Sequence, residues 1–304
     1  MANLREIKKR IGSVSTTEQI TRTMEMVATA KIKRALDREK RSEAFRDAIT
    51  DVMLTVAGDT AAETVSPLLA NPETYECALI VAISSDRGLA GGFNVQIDRA
   101  VEKRIEHFRR HGAKRIELIT CGRKVSEYFS KYPDVVMQVV GESDNPSIER
   151  ARAIASYIED GFSEGKFGRV DIIYHHAKNR VEQVLREERI LPLDPVVLKT
   201  ARGPRNNENE APQRISSAFT YAPSAEHVLS KLIPTYVLTV IQQALIDSAA
   251  AEQGARRKAM HSATENATAI ISELKRTYNR VRQASITTEI NEIVGGASAL
   301  EDQQ

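Results

Sequence analysis

TYVLTVIQQALIDSAAAEQGARRKAMHSATENATAIISELKRTYNRVRQASITTEINEIV, residues Thr235–Val294, holds no proline, a single glycine (Gly254) and nothing that reads as a turn. Small or apolar residues recur three or four apart through it: Val237, Ile241, Ala244, Ser248, Ala251, Ala255, Ala259, Ala263, Asn266, Ile270, Leu274, Thr277, Val281 and Ala284. That spacing predicts one helical face kept for about 60 residues, roughly 90 Å at about 1.5 Å per residue. Globular helices average about 11 residues. A stripe this long needs a partner helix or a sleeve.

The other end of the chain supplies the helix. From residue 3 to about 57 the same spacing returns in Leu4, Ile7, Ile11, Val14, Thr17, Thr21, Met24, Ala28, Ile32 and Ala35. Good helix formers fill the outer face, and Gly58 is the first plausible stop, with Pro67 beyond it. The intervening chain makes an antiparallel two-helix coiled coil the natural arrangement. Both stripes favour Ala, Ser and Thr over Leu, which permits close approach but drives pairing weakly. Such a rod should be surrounded in part by other subunits.

Between the two helices the pattern becomes alternating. Continuous or alternating apolar runs predict strands at Cys77–Ser85, Arg115–Cys121, Val135–Val140, Arg169–His176 and Val181–Leu193, the last an edge hairpin. Helical stretches fall between them at Val95–Arg110, Lys124–Ser130 and Ser147–Gly161. Strand and helix in succession imply a mostly parallel sheet with helices packed on it. The expected fold is therefore mixed, with the coiled coil plus a central Rossmann-like α/β domain on a five-stranded sheet. The expected divisions are 1–58 (first coiled-coil helix), 75–200 (α/β domain), 201–218 (polar loop) and 219–304 (second coiled-coil helix). Ala201–Gln213 is polar and rich in Pro and Asn, hence a loop. Ser224 is a plausible N-cap for the returning helix, and Pro234 a kink.

Composition narrows the function. A formal charge of +2 in 304 residues gives no bulk electrostatic case for nucleic acid, and basic residues are not interleaved with aromatics. The basic faces of the first helix (Arg5, Lys8, Lys9, Arg10, then Lys31, Lys33, Arg34, Arg38) read either as solvated surface balanced by Glu39, Glu43 and Asp47 or as contact with an acidic protein. Cys77 and Cys121 sit in apolar runs without metal-ligand spacing, which suggests buried reduced thiols. The longest unbroken apolar run, Ala78–Ile83, is too short to span a bilayer. Membrane association is expected only through partners.

SDRGLAGGFN (Ser84–Asn94) alone resembles an active-site loop, because it follows a strand and opens a helix. Its glycines miss the dinucleotide spacing and no Gly-Lys-Ser/Thr follows, so a tight turn explains it as well as a phosphate cradle does. His175 and His176 are adjacent on a strand, so they point to opposite faces and cannot share a metal. They read as one core and one surface histidine. No catalytic, cofactor or metal residues are assigned.

Four stretches together resemble the gamma subunit of the F-type ATP synthase: IKKRIGSVSTTEQITRTMEMVATAKIKRA (Ile7–Ala35), SDRGLAGGFN, AEQGARRKAMHSATENA (Ala251–Ala267) and RQASITTEINEIVGGASAL (Arg282–Leu300). The resemblance covers nearly the whole chain. It implies a non-catalytic rotor shaft without cofactors: an antiparallel rod inside three alpha and three beta subunits, with an α/β foot on the epsilon subunit and the membrane c ring. Ring rotation would then drive conformational change in the catalytic beta subunits. By motif match, Met24, Arg256, Gln283, Thr287 and Glu289 correspond to rod positions near the moving lobe of beta, and Tyr221 to the foot near the c ring. Ala90 stands where the family often has Cys, Arg257 where an apolar residue is common, and Ala222 where an acid often precedes Pro. The start at the first helix, without a transit sequence, suggests a bacterial protein on the cytoplasmic face of the inner membrane. Two other readings stay open: an α/β nucleotide-binding enzyme with coiled-coil arms, and a coiled-coil scaffold.

Overall fold

A computed structural model describes residues 4–58, 75–179, 181–193 and 224–301. The element order is α1 (Leu4–Gly58), β1 (Cys77–Ile83), α2 (Phe93–Arg110), β2 (Arg115–Cys121), α3 (Arg123–Tyr128), β3 (Val135–Val139), α4 (Ile148–Ser163), β4 (Arg169–His176), β5 (Val184–Leu191) and α5 (Ala225–Glu301). The Ala201–Gln213 stretch and Tyr221 lie outside the described residues. The chain divides into two compact units, Met1–Ala28 with Arg257–Gln304, and Thr29–Arg256.

In the larger unit the sheet order is β3-β2-β1-β4-β5. β1 pairs in parallel with β2 and β4, β2 pairs in parallel with β3, and β5 closes the edge antiparallel to β4. Each strand feeds one side chain in two to each face. Ala78, Ile80, Ala82, Leu118 and Ile173 meet α2 and α3 through Ile97, Val101, Phe108 and Val125. Leu79, Val81, Ile119, Ile172 and Tyr174 meet α4, α1 and α5 through Ile154, Ile158, Met53, Val237 and Ile241. The sheet is thus covered on both faces, which is why its central strands read as unbroken apolar runs. The strand order turns back between β1 and β4, where such folds place ligands.

α5 starts ten residues earlier than the sequence reading placed its stripe. The Ser224 hydroxyl accepts from the His227 backbone N–H at 3.2 Å, the cap that the sequence suggested. Pro234 lies inside the helix without ending it. Within the larger unit, α5 is buried on all sides from Gln243 to Gly254.

The smaller unit is an antiparallel helix pair. Thr21 and Thr264 place their hydroxyls 2.8 Å apart, and His261 Nδ1 lies 3.0 Å from Glu25 Oε1. The seam of α1 follows the predicted stripe through Ile7, Val14, Thr21 and Ala28, except that Thr17 is exposed. The seam of α5 leaves its predicted stripe at Asn266 and Ile270 and rejoins it at Leu274 and Val281. It passes through Met260, Thr264, Ala267, Ile271, Leu274, Tyr278 and Val281, whereas Asn266 and Ile270 are exposed. The cause is geometric. The proposed stripe stepped by four from Ala251 to Ala263, and each such step overshoots a helical turn by about 40°. The true seam alternates fours and threes, averaging the 3.5 residues that keep two helices facing each other.

Candidate functional site

The β1–α2 loop occupies the turning point of the sheet, where a ligand would sit if the chain bound one there. Its polar groups are turned inward instead. The Asp86 carboxylate accepts from the backbone N–H of Arg123 at 3.0 Å and from those of Gly141 and Ser143 at 2.9 Å each. One side chain thereby fastens the loops that follow β1, β2 and β3. Burial alone would raise the Asp86 carboxyl, but these donors outweigh it and hold it below the usual carboxylate range. Ser84 Oγ accepts from the Val125 N–H at 3.0 Å, and Asn94 Oδ1 accepts from the Ser85 N–H at 3.1 Å. Gly122 is required here: its φ is +104°, and a Cβ would stand 2.4 Å from the Ser84 carbonyl oxygen.

α5 closes over this loop. Arg256 Nη2 lies 3.5 and 3.4 Å from the carbonyl oxygens of Arg87 and Gly88, and 2.7 Å from Glu252 Oε1. The loop therefore presents carbonyl oxygens to a guanidinium, the opposite polarity from the N–H cradle that phosphate needs. Ala90 is 2% exposed and packs with Phe93, Ala177, Ala250 and Ala251, with Ala35 of α1 against the same cluster. Small side chains at these positions let a loop and two helices approach closely. On the same side, Asp144 accepts from Lys31 at 2.8 Å and from Gln253 Nε2 at 2.6 Å, tying α1, α5 and the β3–α4 loop together. The site is a fastener, built to hold the two long helices on the sheet.

The adjacent histidines do face opposite ways. His175 is 2% exposed, stacks on Phe93 with ring centroids 4.5 Å apart, and sits 3.0 Å from the Phe93 carbonyl oxygen. Burial lowers its pKa more than that carbonyl raises it. His176 is not the surface residue predicted, since it is only partly exposed and held 2.6 Å from Asp247. Glu39 is likewise buried at 6% exposure rather than balancing a solvated face. Both cysteines are free, Cys121 buried and Cys77 half-buried.

In the smaller unit, the register that sets Thr21 against Thr264 places Leu4 opposite Val281. α5 then continues to Glu301 past the start of α1. On this stretch Ile286, Ile290, Ile293 and Val294 are exposed by 43, 54, 72 and 58%.

A family model described as ATP synthase matches residues 3–300. ATP synthase gamma chains from Flavobacterium psychrophilum and Cytophaga hutchinsonii are each 35% identical, over 99% of this chain and 99% of their own length. The chain belongs to the ATP synthase gamma chain family. Its fold is also similar to a chain of the Tetrahymena thermophila mitochondrial ATP synthase central stalk and c ring, with 25% identity and a TM-score of 0.60 over 80% of this chain and 99% of that one. A chain of the Euglena gracilis mitochondrial ATP synthase, 17% identical, matches the fold at a TM-score of 0.64 over 98% and 94%. As a gamma chain it is a non-catalytic subunit, the rotor stalk of an F-type ATP synthase. The nucleotide-enzyme and scaffold readings give way to that assignment.

Of the residues carried over by motif, Met24, Arg256, Gln283, Thr287 and Glu289 are among the described residues. Gln283, Thr287 and Glu289 stand exposed on the stretch of α5 beyond the start of α1, where Thr287 Oγ1 donates to the Gln283 carbonyl at 2.9 Å and Ser285 Oγ lies 3.4 Å from Glu289 Oε1. Met24 is half-buried beside the helix-pair seam. Arg256, 8% exposed, is engaged with the loop of the larger unit. The sequence reading missed Asp86, Asp144 and Asp247, the acids that do the fastening. Asp247 lies on an Ala-rich stretch that the fold buries all round, where an acid must find a donor.

Proposed function

We propose that the chain turns as the shaft between a sleeve of three alpha and three beta subunits and a membrane c ring, with the epsilon subunit on its α/β domain. In this reading it works on the cytoplasmic face of a bacterial inner membrane. No helix among the described residues is long and apolar enough to cross a membrane, so attachment runs through partners. The observation that carries the reading is the solvent-exposed apolar row Ile286, Ile290, Ile293 and Val294, on a stretch of α5 that no other described helix covers. Such a row calls for a surrounding surface. Gln283, Thr287 and Glu289 interleave with it and offer hydrogen bonds to that surface, and Met24 adds a contact from α1. Arg256 takes part by holding the β1–α2 loop against α5, and Tyr221 by contact near the c ring.

Coupling then rests on differential binding: each shaft angle must favour one beta conformation over the others. A half-exposed, Ala- and Thr-rich seam suits a shaft that must leave each contact as readily as it makes it. The test is ATPase activity of alpha and beta subunits mixed with the full chain or with a chain ending at Arg282. Full-length protein assembles an active complex, and truncation weakens assembly or coupling. Alpha and beta subunits that neither bind nor respond to the chain would refute the reading.

A further inference from the structure

One buried cluster plays no part in the shaft reading. Where α1, the end of β4 and α5 meet within the larger unit, Glu39, His176 and Asp247 each bring a ligand atom within 4.8 Å of the others. Glu39 is 6% and Asp247 2% exposed. Two carboxylates so close and so buried repel unless positive charge lies between them. His176 Nδ1 is 2.6 Å from Asp247 Oδ2, and the Ala177 N–H donates to Asp247 Oδ1 at 2.7 Å. The Arg186 guanidinium already faces Asp247; between the two acids themselves an imidazolium would offer one positive charge, and a divalent ion two. Glu39 also keeps an interaction of its own within the chain.

A second observation lies one turn earlier on α5. Gln243 is 2% exposed, and its buried Oε1 has no hydrogen-bond partner among the described residues. Residues four apart share a helix face, about 5–6 Å between Cβ atoms, so Gln243 stands on the same face of α5 as Asp247. A buried acceptor without a donor is costly. A cation, or water bound to one, would satisfy it.

We propose that Glu39, His176 and Asp247 bind a divalent transition-metal ion of the zinc type. One imidazole nitrogen with two carboxylate oxygens is a donor set that zinc accepts, whereas magnesium and calcium prefer six or more oxygens. Bonds of about 2.0–2.2 Å put tetrahedral ligand atoms about 3.3 Å apart. To bind, the His176–Asp247 pair, now at 2.6 Å, would open slightly and the wider contacts within the 4.8 Å cluster would close. Three protein ligands leave a fourth position for water. The Ala177 N–H fixes the orientation of the Asp247 carboxylate from outside, as outer partners of metal ligands do. The ion would staple α1, β4 and α5 together, adding to the fastening by Asp86 and Asp144.

The test titrates the untagged, EDTA-stripped full chain with Zn2+ against a chromophoric chelator, and repeats it for H176Q, E39Q and H261Q. The proposal expects one equivalent of zinc bound with a dissociation constant below about 1 μM. It also expects a rise in the unfolding midpoint with zinc, since an ion that binds only the folded state stabilises it. H176Q and E39Q each weaken uptake more than about tenfold, while H261Q, which removes a surface histidine between Glu25 and Glu265, leaves it unchanged. Circular dichroism checks each fold, and E39Q carries the test if H176Q does not fold. Uptake below about a tenth of an equivalent would overturn the proposal. So would uptake that persists in both H176Q and E39Q, which would place the ion at other residues.

Discussion

Replacing Asp86 with alanine tests the fastener directly. The substitution removes a carboxylate that receives three backbone N–H groups from two other loops. A hydrogen bond to a charged group contributes about 1.5–3 kcal/mol when buried, less when water competes. The Arg123 and Gly141 contacts are exposed and that of Ser143 is half-buried, so the low end applies to one bond and about half of it to each of the others. The sum is about 3 kcal/mol. At about 2–4 °C per kcal/mol for a unit of this size, the unfolding midpoint falls by roughly 6–12 °C. D86N should recover only part of this, because its NH2 group turns a donor toward donors.

The pH dependence gives the sharper check. The native Asp86 carboxyl titrates below its ordinary value of 3.8. A depressed acid contributes stability above its unfolded pKa and loses it as pH falls through the folded one. The gap between wild type and D86N should therefore be full at pH 6–7 and narrow below about pH 4. Urea unfolding from pH 3 to pH 7, read by circular dichroism, measures it. A gap under about 1 kcal/mol at pH 7, or one that does not change with pH, would refute the argument.

Asp98 behaves in the opposite sense: burial, then Glu102, raise its carboxyl to about 6, and its Oδ1 has no hydrogen-bond partner among the described residues. The folded state holds that proton more tightly, so stability declines as pH rises from about 4 to 6, and D98N should gain about 1 kcal/mol at pH 7 in urea unfolding. Burial pushes the Cys121 thiol up to about 12. A chromogenic thiol reagent at pH 8 should therefore label Cys77 while Cys121 waits for denaturant, and equal rates would contradict the packing. Ala251 is fully buried in the alanine cluster, so A251L overpacks it and should lower stability by about 1–3 kcal/mol, whereas the exposed K258L should change it by less than about 0.5.

How much of this was legible depended on what kind of information each feature needs. Strands β2 and β4 lie where their apolar runs place them, because a sheet covered on both faces demands unbroken runs and nothing else in the chain competes. The α1 seam could be read because its apolar residues already alternate threes and fours. The α5 seam could be read only in part, because alanine, serine and threonine occupy every face of that helix between Ser248 and Thr264 and leave no contrast to follow. Only contact with α1 settles which of them lie inside. The fastening acids were hidden for a related reason. Asp86, Asp144 and Asp247 are ordinary loop and helix residues in sequence, and their donors come from Gly141, Gln253 and Ala177, which lie 55, 109 and 70 positions away. Spacing rules work within one element and say nothing across such separations. Burial does, and it acts on a whole segment: once the sheet and α1 enclose Gln243–Gly254 on every side, each polar residue in it must be satisfied. Asp247, Glu252 and Gln253 find partners in the chain, and Gln243 is left with an oxygen to satisfy. An alanine-rich helix that carries acids and amides on all its faces is thus a sequence signal for a packed junction, and a solvated face is the wrong inference from it.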